Sequence, residues 1–171
     1  MSSKDQNLSE YSVNLSGVEQ LKIGIVVSDY NEGITHKLLD GCRKTLKKEG
    51  IVESNMKVIH VPGAFELPTG ARMLDDKHNL DAVIVLGCVI KGDTKHDEYI
   101  SQAVATGLMQ LAVMRSKPFI FGVLTPNTQE QAVERAGGKH GNKGIEAAVT
   151  ALKMASLKKE LKSATKQIGF S

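Results

Sequence analysis

Residues 81–99 read DAVIVLGCVIKGDTKHDEY, and this stretch decides the predicted fold. Residues 83–86 are β-branched or aliphatic without alternation, which predicts a strand covered on both faces, as in a parallel sheet. A polar segment follows at residues 91–96, and from Ile100 onward apolar residues recur at helical spacing. The polar segment therefore lies between a strand and a helix. Ligands of open α/β sheets bind there, because helix N–H groups and the positive end of the helix dipole face it. We expect an anionic ligand and proton transfer at this point.

The composition indicates one soluble globular domain. With 171 residues, 41% hydrophobic and 24% charged, the chain can bury a single sizeable core. We expect an arm at residues 1–20, one α/β domain at 21–162 and a tail at 163–171. Much of the net charge of +3 comes from lysines near the C terminus, and aromatic residues do not interleave with basic ones. Nucleic acid is therefore disfavoured as a partner.

The cysteines and the first residues bear on location. Cys42 and Cys88 lie in different elements without CxxC spacing, which favours a reduced, intracellular chain. The first twelve residues carry acids and lack the apolar core of a signal peptide. No apolar run approaches membrane-spanning length. We expect a cytoplasmic protein without a membrane partner.

The rest of the chain repeats a strand followed by a helix. Further strands are predicted at residues 21–28, 56–61 and 118–124. Capping boxes are predicted at Thr94 with Asp97 and at Thr128 with Gln131. The second capping box opens a short helix that is expected to end at residues 137–138. The link GGKHGNKG at residues 137–144 then leads to a last helix. Right-handed crossovers make this α/β chain a three-layer α/β/α sandwich with a four-stranded parallel sheet, flavodoxin-like in plan.

The carboxyl ends of the four predicted strands meet at one edge of the sheet. This edge gathers Asp29, Tyr30 and Asn31, then Phe65 and Glu66, then residues 88–96, and finally residues 125–127. An aromatic residue taken alone is more often core or loop packing than a ligand platform. His96, in the first turn of its helix, is a candidate general acid or base, and no metal is expected there because no second ligand stands at suitable spacing. The loop SDYN lacks the glycines that a dinucleotide needs, so NAD and FAD are disfavoured.

Basic residues between 134 and 143 could bind phosphate. Arg135 offers a planar fork suited to phosphate, and a helix-surface ion pair is the alternative. The pattern leaves open whether Arg135 and Lys143 reach their own strand edge or that of a neighbouring chain.

Four segments carry a resemblance to a known family. VPGAFELP (61–68), VLGCVIKGDTKHDEY (85–99), PFIFGVLTPNTQEQAVERAG (118–137) and KHGNKGIEAA (139–148) strongly resemble the 6,7-dimethyl-8-ribityllumazine synthase family of riboflavin biosynthesis. The resemblance runs in order from residue 21 to residue 157. It implies condensation of 5-amino-6-(D-ribitylamino)uracil with (S)-3,4-dihydroxy-2-butanone 4-phosphate, giving the lumazine, phosphate and water, without metal or organic cofactor.

The resemblance also implies a role for each site residue. Tyr30 would stack on the pyrimidine, and the ribityl side would be held by Ala64, Phe65 and Glu66, with Asn31 nearby. The uracil ring would meet backbone groups of Cys88, Val89 and Ile90. The butanone phosphate would lie on the loop with Asp93 and Thr94, assisted by Arg135. His96 would transfer protons, and the pocket would be completed by Phe121 and Lys143.

The resemblance implies an oligomer as well. Family members form homopentamers, and some build a shell of sixty subunits for which riboflavin synthase is a candidate cargo. The short link at 137–144 resembles that of the shell-forming members. Phe121, Arg135 and Lys143 would come from the adjacent subunit, so the site would form between chains.

Three positions depart from the family pattern, and two rival functions stay open. Tyr30 stands where the family more often has Phe or Trp, and Cys88 stands where Thr or an aliphatic residue is common. Asp93 stands where the family often has Ala or Ser. The Asp93 carboxylate would repel a phosphate unless it caps the helix or pairs with Lys95. The rivals are a shell that holds a flavin or lumazine without turnover and a flavodoxin-like electron carrier. The absence of a Ser/Thr/Gly-rich loop after the first strand weakens the second rival.

Overall fold

The computed structural model describes residues 17–166. Most of the expected arm, residues 1–16, lies outside this range, as do residues 167–171 of the expected tail. Within 17–20 the chain forms a short 3-10 helix, Val18–Gln20, and Val18 packs into the core. The division into arm, domain and tail stays a prediction. No helix among residues 17–166 is both long and apolar enough to cross a membrane.

Four parallel strands form the central sheet. They are β1 (Ile23–Ser28), β2 (Met56–Val61), β3 (Ala82–Cys88) and β4 (Phe119–Leu124), and their order in the sheet is β2-β1-β3-β4. All three neighbouring pairs are parallel. The predicted α/β fold with a four-stranded parallel sheet is confirmed. Every residue of β1 and β3 is buried, as expected for strands covered on both faces.

Helices cover the sheet on both sides. They are α1 (Glu32–Lys48), α2 (Leu67–Lys77), α3 (His96–Arg115), α4 (Gln129–Glu134) and α5 (Lys143–Lys166). Leu38 of α1 and Leu152 of α5 pack with Ile84 on one face. Leu67 of α2 and Leu108 of α3 belong to a second cluster on the other face. Successive β3 residues thus point into two different cores, which the uninterrupted apolar run requires.

The start of α5 is fixed against α1. The Asn142 side chain accepts the N–H of Gly144 at 2.8 Å and donates to the Lys37 carbonyl at 3.0 Å, so it caps α5 and binds α1 at once. A Cβ on Gly144 would overlap the Leu38 carbonyl oxygen. Only glycine therefore allows the two helix backbones to approach this closely.

Two local predictions were wrong. α4 ends at Glu134 rather than at residues 137–138, because the glycine-rich link folds into a small antiparallel hairpin of β5 (Ala136–Gly138) and β6 (Gly141–Asn142). At α3 the N-cap is Lys95, without a side-chain cap, and Thr94 Oγ1 accepts only the His96 N–H, at 3.4 Å. The N-cap half of the Thr128 capping box is confirmed, since the Thr128 side chain accepts the Gln131 N–H at 3.3 Å. The Gln131 side chain accepts the Asn127 N–H at 2.8 Å rather than the Thr128 N–H.

Candidate active site

Two unburied aromatic rings lie at the ends of β1 and β2. Tyr30 is 71% exposed and Phe65 is 59% exposed. The β1–β2 pairing continues beyond the strands, since the Asp29 N–H donates to the Val61 carbonyl at 2.8 Å and the Tyr30 N–H donates to the Pro62 carbonyl at 3.1 Å. This pairing sets the backbone of both loops. The site therefore offers ring faces that do not serve the core, as a stacking platform requires.

Asn31 ties the end of β1 to the end of β3. Its backbone is left-handed, with φ of 61°, and its Nδ2 donates to the Cys88 carbonyl at 3.0 Å. The Val89 N–H donates to the Leu124 carbonyl at 2.8 Å. Two of the backbone groups at residues 88–90 are thus already engaged within the chain. A ligand here would meet the remaining groups of this segment.

The Ala64 and Glu66 positions flank the exposed Phe65 ring. Ala64 is nearly buried and its carbonyl accepts the Leu67 N–H at 3.1 Å, whereas Glu66 is exposed at the N-cap of α2. The Glu66 carboxylate can therefore reach a ligand beside Phe65.

The loop that leads into α3 is exposed throughout residues 91–95. Its polar residues are Lys91, Asp93, Thr94 and Lys95, and His96 is the first residue of the helix. The N–H groups of the first turn have no partners within the helix and carry the positive end of its dipole. The exposed His96 imidazole can exchange protons directly with a bound molecule.

A cavity of about 540 Å³ lies at the end of β4. Its lining includes Leu124, Thr125, Glu130, Gln131, Arg135, His140 and Lys143. Glu146, whose side chain is 8% exposed, holds both cations, with Arg135 Nη2 at 2.8 Å and Lys143 Nζ at 3.0 Å from its two oxygens. Arg135 also donates to the His140 carbonyl at 2.5 Å. Arg135, Lys143 and Glu146 together carry one net positive charge, but Glu130 and Glu134 also line the cavity, so the five groups sum to one net negative charge. The two cations offer hydrogen-bond donors to an anion, whereas the cavity as a whole does not favour one.

The predicted residues fall into separate groups within one chain. Tyr30, Asn31, Phe65 and Cys88 lie at the ends of β1, β2 and β3, whereas Arg135 lies at the end of β4. With strands about 4.8 Å apart, the end of β4 lies one spacing, roughly 5 Å, from the end of β3, and two or three spacings, roughly 10–15 Å, from the ends of β1 and β2. Phe121 is in register with Val85, in the middle of the sheet's edge strand rather than at its carboxyl end.

The comparisons with known proteins agree with one another. The family model for 6,7-dimethyl-8-ribityllumazine synthase matches residues 20–159. The protein of that name from Parabacteroides distasonis is 51% identical over 155 residues, covering 90% of this chain and 97% of the relative. That from Porphyromonas gingivalis is 50% identical over 160 residues, covering 93% and 99%. The chain belongs to the lumazine synthase family. The resemblance found in the four sequence segments is confirmed.

The two thiols of this lumazine synthase family member are free and buried. Burial raises the pKa of Cys88 to about 11 and that of Cys42 to about 12. A thiolate is the reactive form of cysteine. Burial therefore disfavours a nucleophilic role for either thiol near neutral pH.

Sequence reasoning missed two constellations. Glu146 lies three residues after Lys143, and this helical spacing was a signal for their ion pair. Asp29, His36 and His60 also come together, and His60 joins the other two only because β1 pairs with β2. No local spacing could have revealed the position of His60.

Proposed function

We propose that this lumazine synthase family enzyme, a transferase, carries out its reaction at the carboxyl edge of the sheet. It condenses 5-amino-6-(D-ribitylamino)uracil with (S)-3,4-dihydroxy-2-butanone 4-phosphate to give 6,7-dimethyl-8-ribityllumazine, phosphate and water. The placement of the exposed His96 imidazole at the edge that also carries the Tyr30 and Phe65 rings is the observation that carries this proposal.

Each substrate has its own part of the site. Tyr30 stacks on the pyrimidine, while Ala64, Phe65 and Glu66 hold the ribityl side with Asn31 nearby. Backbone groups of residues 88–90 meet the uracil ring. The phosphate lies on the loop of Asp93 and Thr94 at the start of α3, where helix N–H groups favour an anion. Arg135 assists there, and Phe121 and Lys143 complete the pocket.

The chemistry needs proton transfers and positioning, which these residues supply. The 5-amino group attacks the ketone, water leaves to form an imine, and phosphate is then eliminated. The enol that results is converted to a carbonyl, and the ribitylamino nitrogen closes the ring with loss of a second water. His96 moves protons in these steps, and Arg135 stabilises the departing phosphate. Holding two substrates together contributes more than either residue, up to roughly 7–11 kcal/mol.

The active assembly is a homopentamer, and the short link at residues 137–144 favours a sixty-subunit shell. The separation of roughly 10–15 Å between the cation pair and the aromatic rings supports a site shared by adjacent subunits. α3 carries four large apolar side chains that are each more than 60% exposed, namely Tyr99, Met109, Val113 and Met114. Such a surface supports burial against further copies of the chain. Riboflavin synthase is the candidate cargo of the shell.

The two free, buried cysteines support a cytoplasmic location, because reducing compartments keep thiols unpaired.

An absorbance assay of lumazine formation tests the residue roles. We expect His96→Ala to slow turnover by about 10- to 100-fold, at or below the low end of acid–base contributions. Arg135→Ala should mainly raise KM for the butanone phosphate, and His78→Ala, outside the site, should behave as wild type. Complete loss of activity in an assembled His96→Ala protein would contradict the larger share given to positioning. No product from the assembled wild-type protein would favour a ligand-holding shell.

Subunit mixing tests the shared site. When His96→Ala and Arg135→Ala chains are unfolded, mixed equally and reassembled, about a quarter of the interfaces between adjacent subunits combine an intact His96 with an intact Arg135. At a butanone phosphate concentration well below the KM of Arg135→Ala, where both parent variants are slow, activity should then recover towards a quarter of the wild-type value. If both residues served a site within one chain, every site would carry a defect and mixing would restore nothing.

A further inference from the structure

Three side chains that can bind metal come together outside the residues assigned to substrate. Asp29 follows β1, His36 lies in the second turn of α1, and His60 is the next-to-last residue of β2. They are brought together by the parallel pairing of β1 with β2 and by the turn into α1. Three separate elements thus supply one ligand atom each.

The distances suit a small cation. Asp29 Oδ1 lies 2.7 Å from His60 Nδ1 and 3.8 Å from His36 Nε2, and the three ligand atoms all lie within 4.8 Å of one another. A tetrahedral zinc ion with bonds of 2.0–2.1 Å holds its ligand atoms roughly 3.3 Å apart. The observed distances bracket that value. Small rotations of the side chains are therefore enough to place all three atoms around one ion.

A hydrogen bond accounts for only part of the arrangement. His60 and Asp29 are within hydrogen-bonding distance, but 3.8 Å from His36 Nε2 to Asp29 Oδ1 is too long for one. The two imidazole rings meet edge to face, with centroids 5.6 Å apart and an angle of 87° between their planes. Both rings thereby bring a nitrogen close to the same carboxylate oxygen.

We propose that Asp29, His36 and His60 bind a divalent first-row transition metal ion such as Zn²⁺. Two imidazoles and one carboxylate are ligands that zinc accepts, and three protein ligands leave a fourth position for water. Ca²⁺ and Mg²⁺ prefer oxygen ligands and are disfavoured by the two nitrogens. The three side chains are 44–54% exposed, so the ion can enter from solvent and keep its water.

The ion would cross-link the end of β1 to α1 and to β2, at the residue that precedes Tyr30 in the chain. The backbone bond from the Asp29 N–H to the Val61 carbonyl already joins the first and third of these elements. Metal binding also draws in α1 through His36. Because the ion binds the folded chain, it should raise the unfolding temperature as its concentration increases.

Cobalt titration tests the site directly. The assembled protein, purified without a histidine tag and treated with chelator, is titrated with Co²⁺ and then with Zn²⁺. We expect one Co²⁺ per chain, with the visible absorption bands of low-symmetry four- or five-coordinate cobalt, and displacement by Zn²⁺. His36→Gln and His60→Gln should each weaken binding by at least about tenfold, since even outer partners of a bound metal contribute 10- to 100-fold. Both variants should lose the rise in unfolding temperature with Zn²⁺.

His78→Gln is the matched control, because His78 lies at the end of α2 and outside the cluster. It should bind Co²⁺ as wild type does. Absence of Co²⁺ binding would overturn the proposal, and so would binding that survives in both cluster variants or falls equally in His78→Gln. Size-exclusion chromatography checks that each variant assembles. Cobalt binding is measured without lumazine formation. A negative result would therefore count against the metal site and not against the proposed substrate site.

Discussion

Glu146→Gln removes the negative charge that Arg135 and Lys143 share. The wild-type carboxylate accepts from Arg135 Nη2 at 2.8 Å and from Lys143 Nζ at 3.0 Å, and its side chain is 8% exposed. Glutamine keeps the shape but turns an NH₂ donor towards one of the two cations. One charged hydrogen bond is therefore lost in a nearly dry position.

The expected loss lies below that of a fully buried ion pair. Removing one partner of such a pair costs about 3–5 kcal/mol. Arg135 and Lys143 are 34% and 30% exposed, so water can solvate them once the charge is gone. The loss should fall to about 1.5–3 kcal/mol, the range for a hydrogen bond to a charged group. For a chain of 171 residues this lowers Tm by about 3–12 °C.

Thermal unfolding at a fixed protomer concentration measures this loss, because the stability of an oligomer depends on concentration. Glu160→Gln makes the same change on an exposed part of α5 and should alter the free energy of unfolding by less than about 0.5 kcal/mol. Equal Tm values for the two variants would refute the view that the buried carboxylate holds the cation pair together.

Three further results are expected. In a urea titration, Gly144→Ala should lower the free energy of unfolding by about 1–3 kcal/mol or more, because its Cβ would overlap an α1 carbonyl. In the same titration Gly33→Ala should raise the free energy of unfolding by about 0.5–1 kcal/mol, because nothing lies within 4 Å of its Cβ. Since burial raises the pKa of Cys88 to about 11, its modification by a thiol reagent should be slow in native protein at neutral pH, fast in urea, and faster in native protein as the pH approaches 11. Asn31→Gly keeps the left-handed backbone but loses the hydrogen bond to the Cys88 carbonyl, and it should be more stable than Asn31→Ala by about 1 kcal/mol in the same titration.

The sheet was predictable because its strands are short apolar runs bounded by polar turns. β2 has the predicted bounds, and β1 begins at Ile23 rather than at residue 21. The β5–β6 hairpin was missed because strands of three and two residues are too short to show any periodicity. The glycines that enable its turn look the same in sequence as those of an irregular link.

Only those residues of the candidate site that follow a strand in the chain could be predicted from the sequence. Tyr30, Phe65 and His96 follow strands, so their shared edge could be inferred from the chain order. The long-range contacts could not. The Asn31 bond to the Cys88 carbonyl and the pairing of Asp29 with His60 depend on which strands are neighbours, which the residues themselves do not state.

The strand order β2-β1-β3-β4 also governs how this protein can fold during translation. β1 lies between β2 and β3. Until the ribosome has delivered β3, which ends at Cys88, one edge of β1 therefore has no strand to pair with. At about 5–20 residues per second, the ribosome needs several seconds to deliver β3 after β1. During that interval, the apolar residues of β1 are a natural binding target for chaperones.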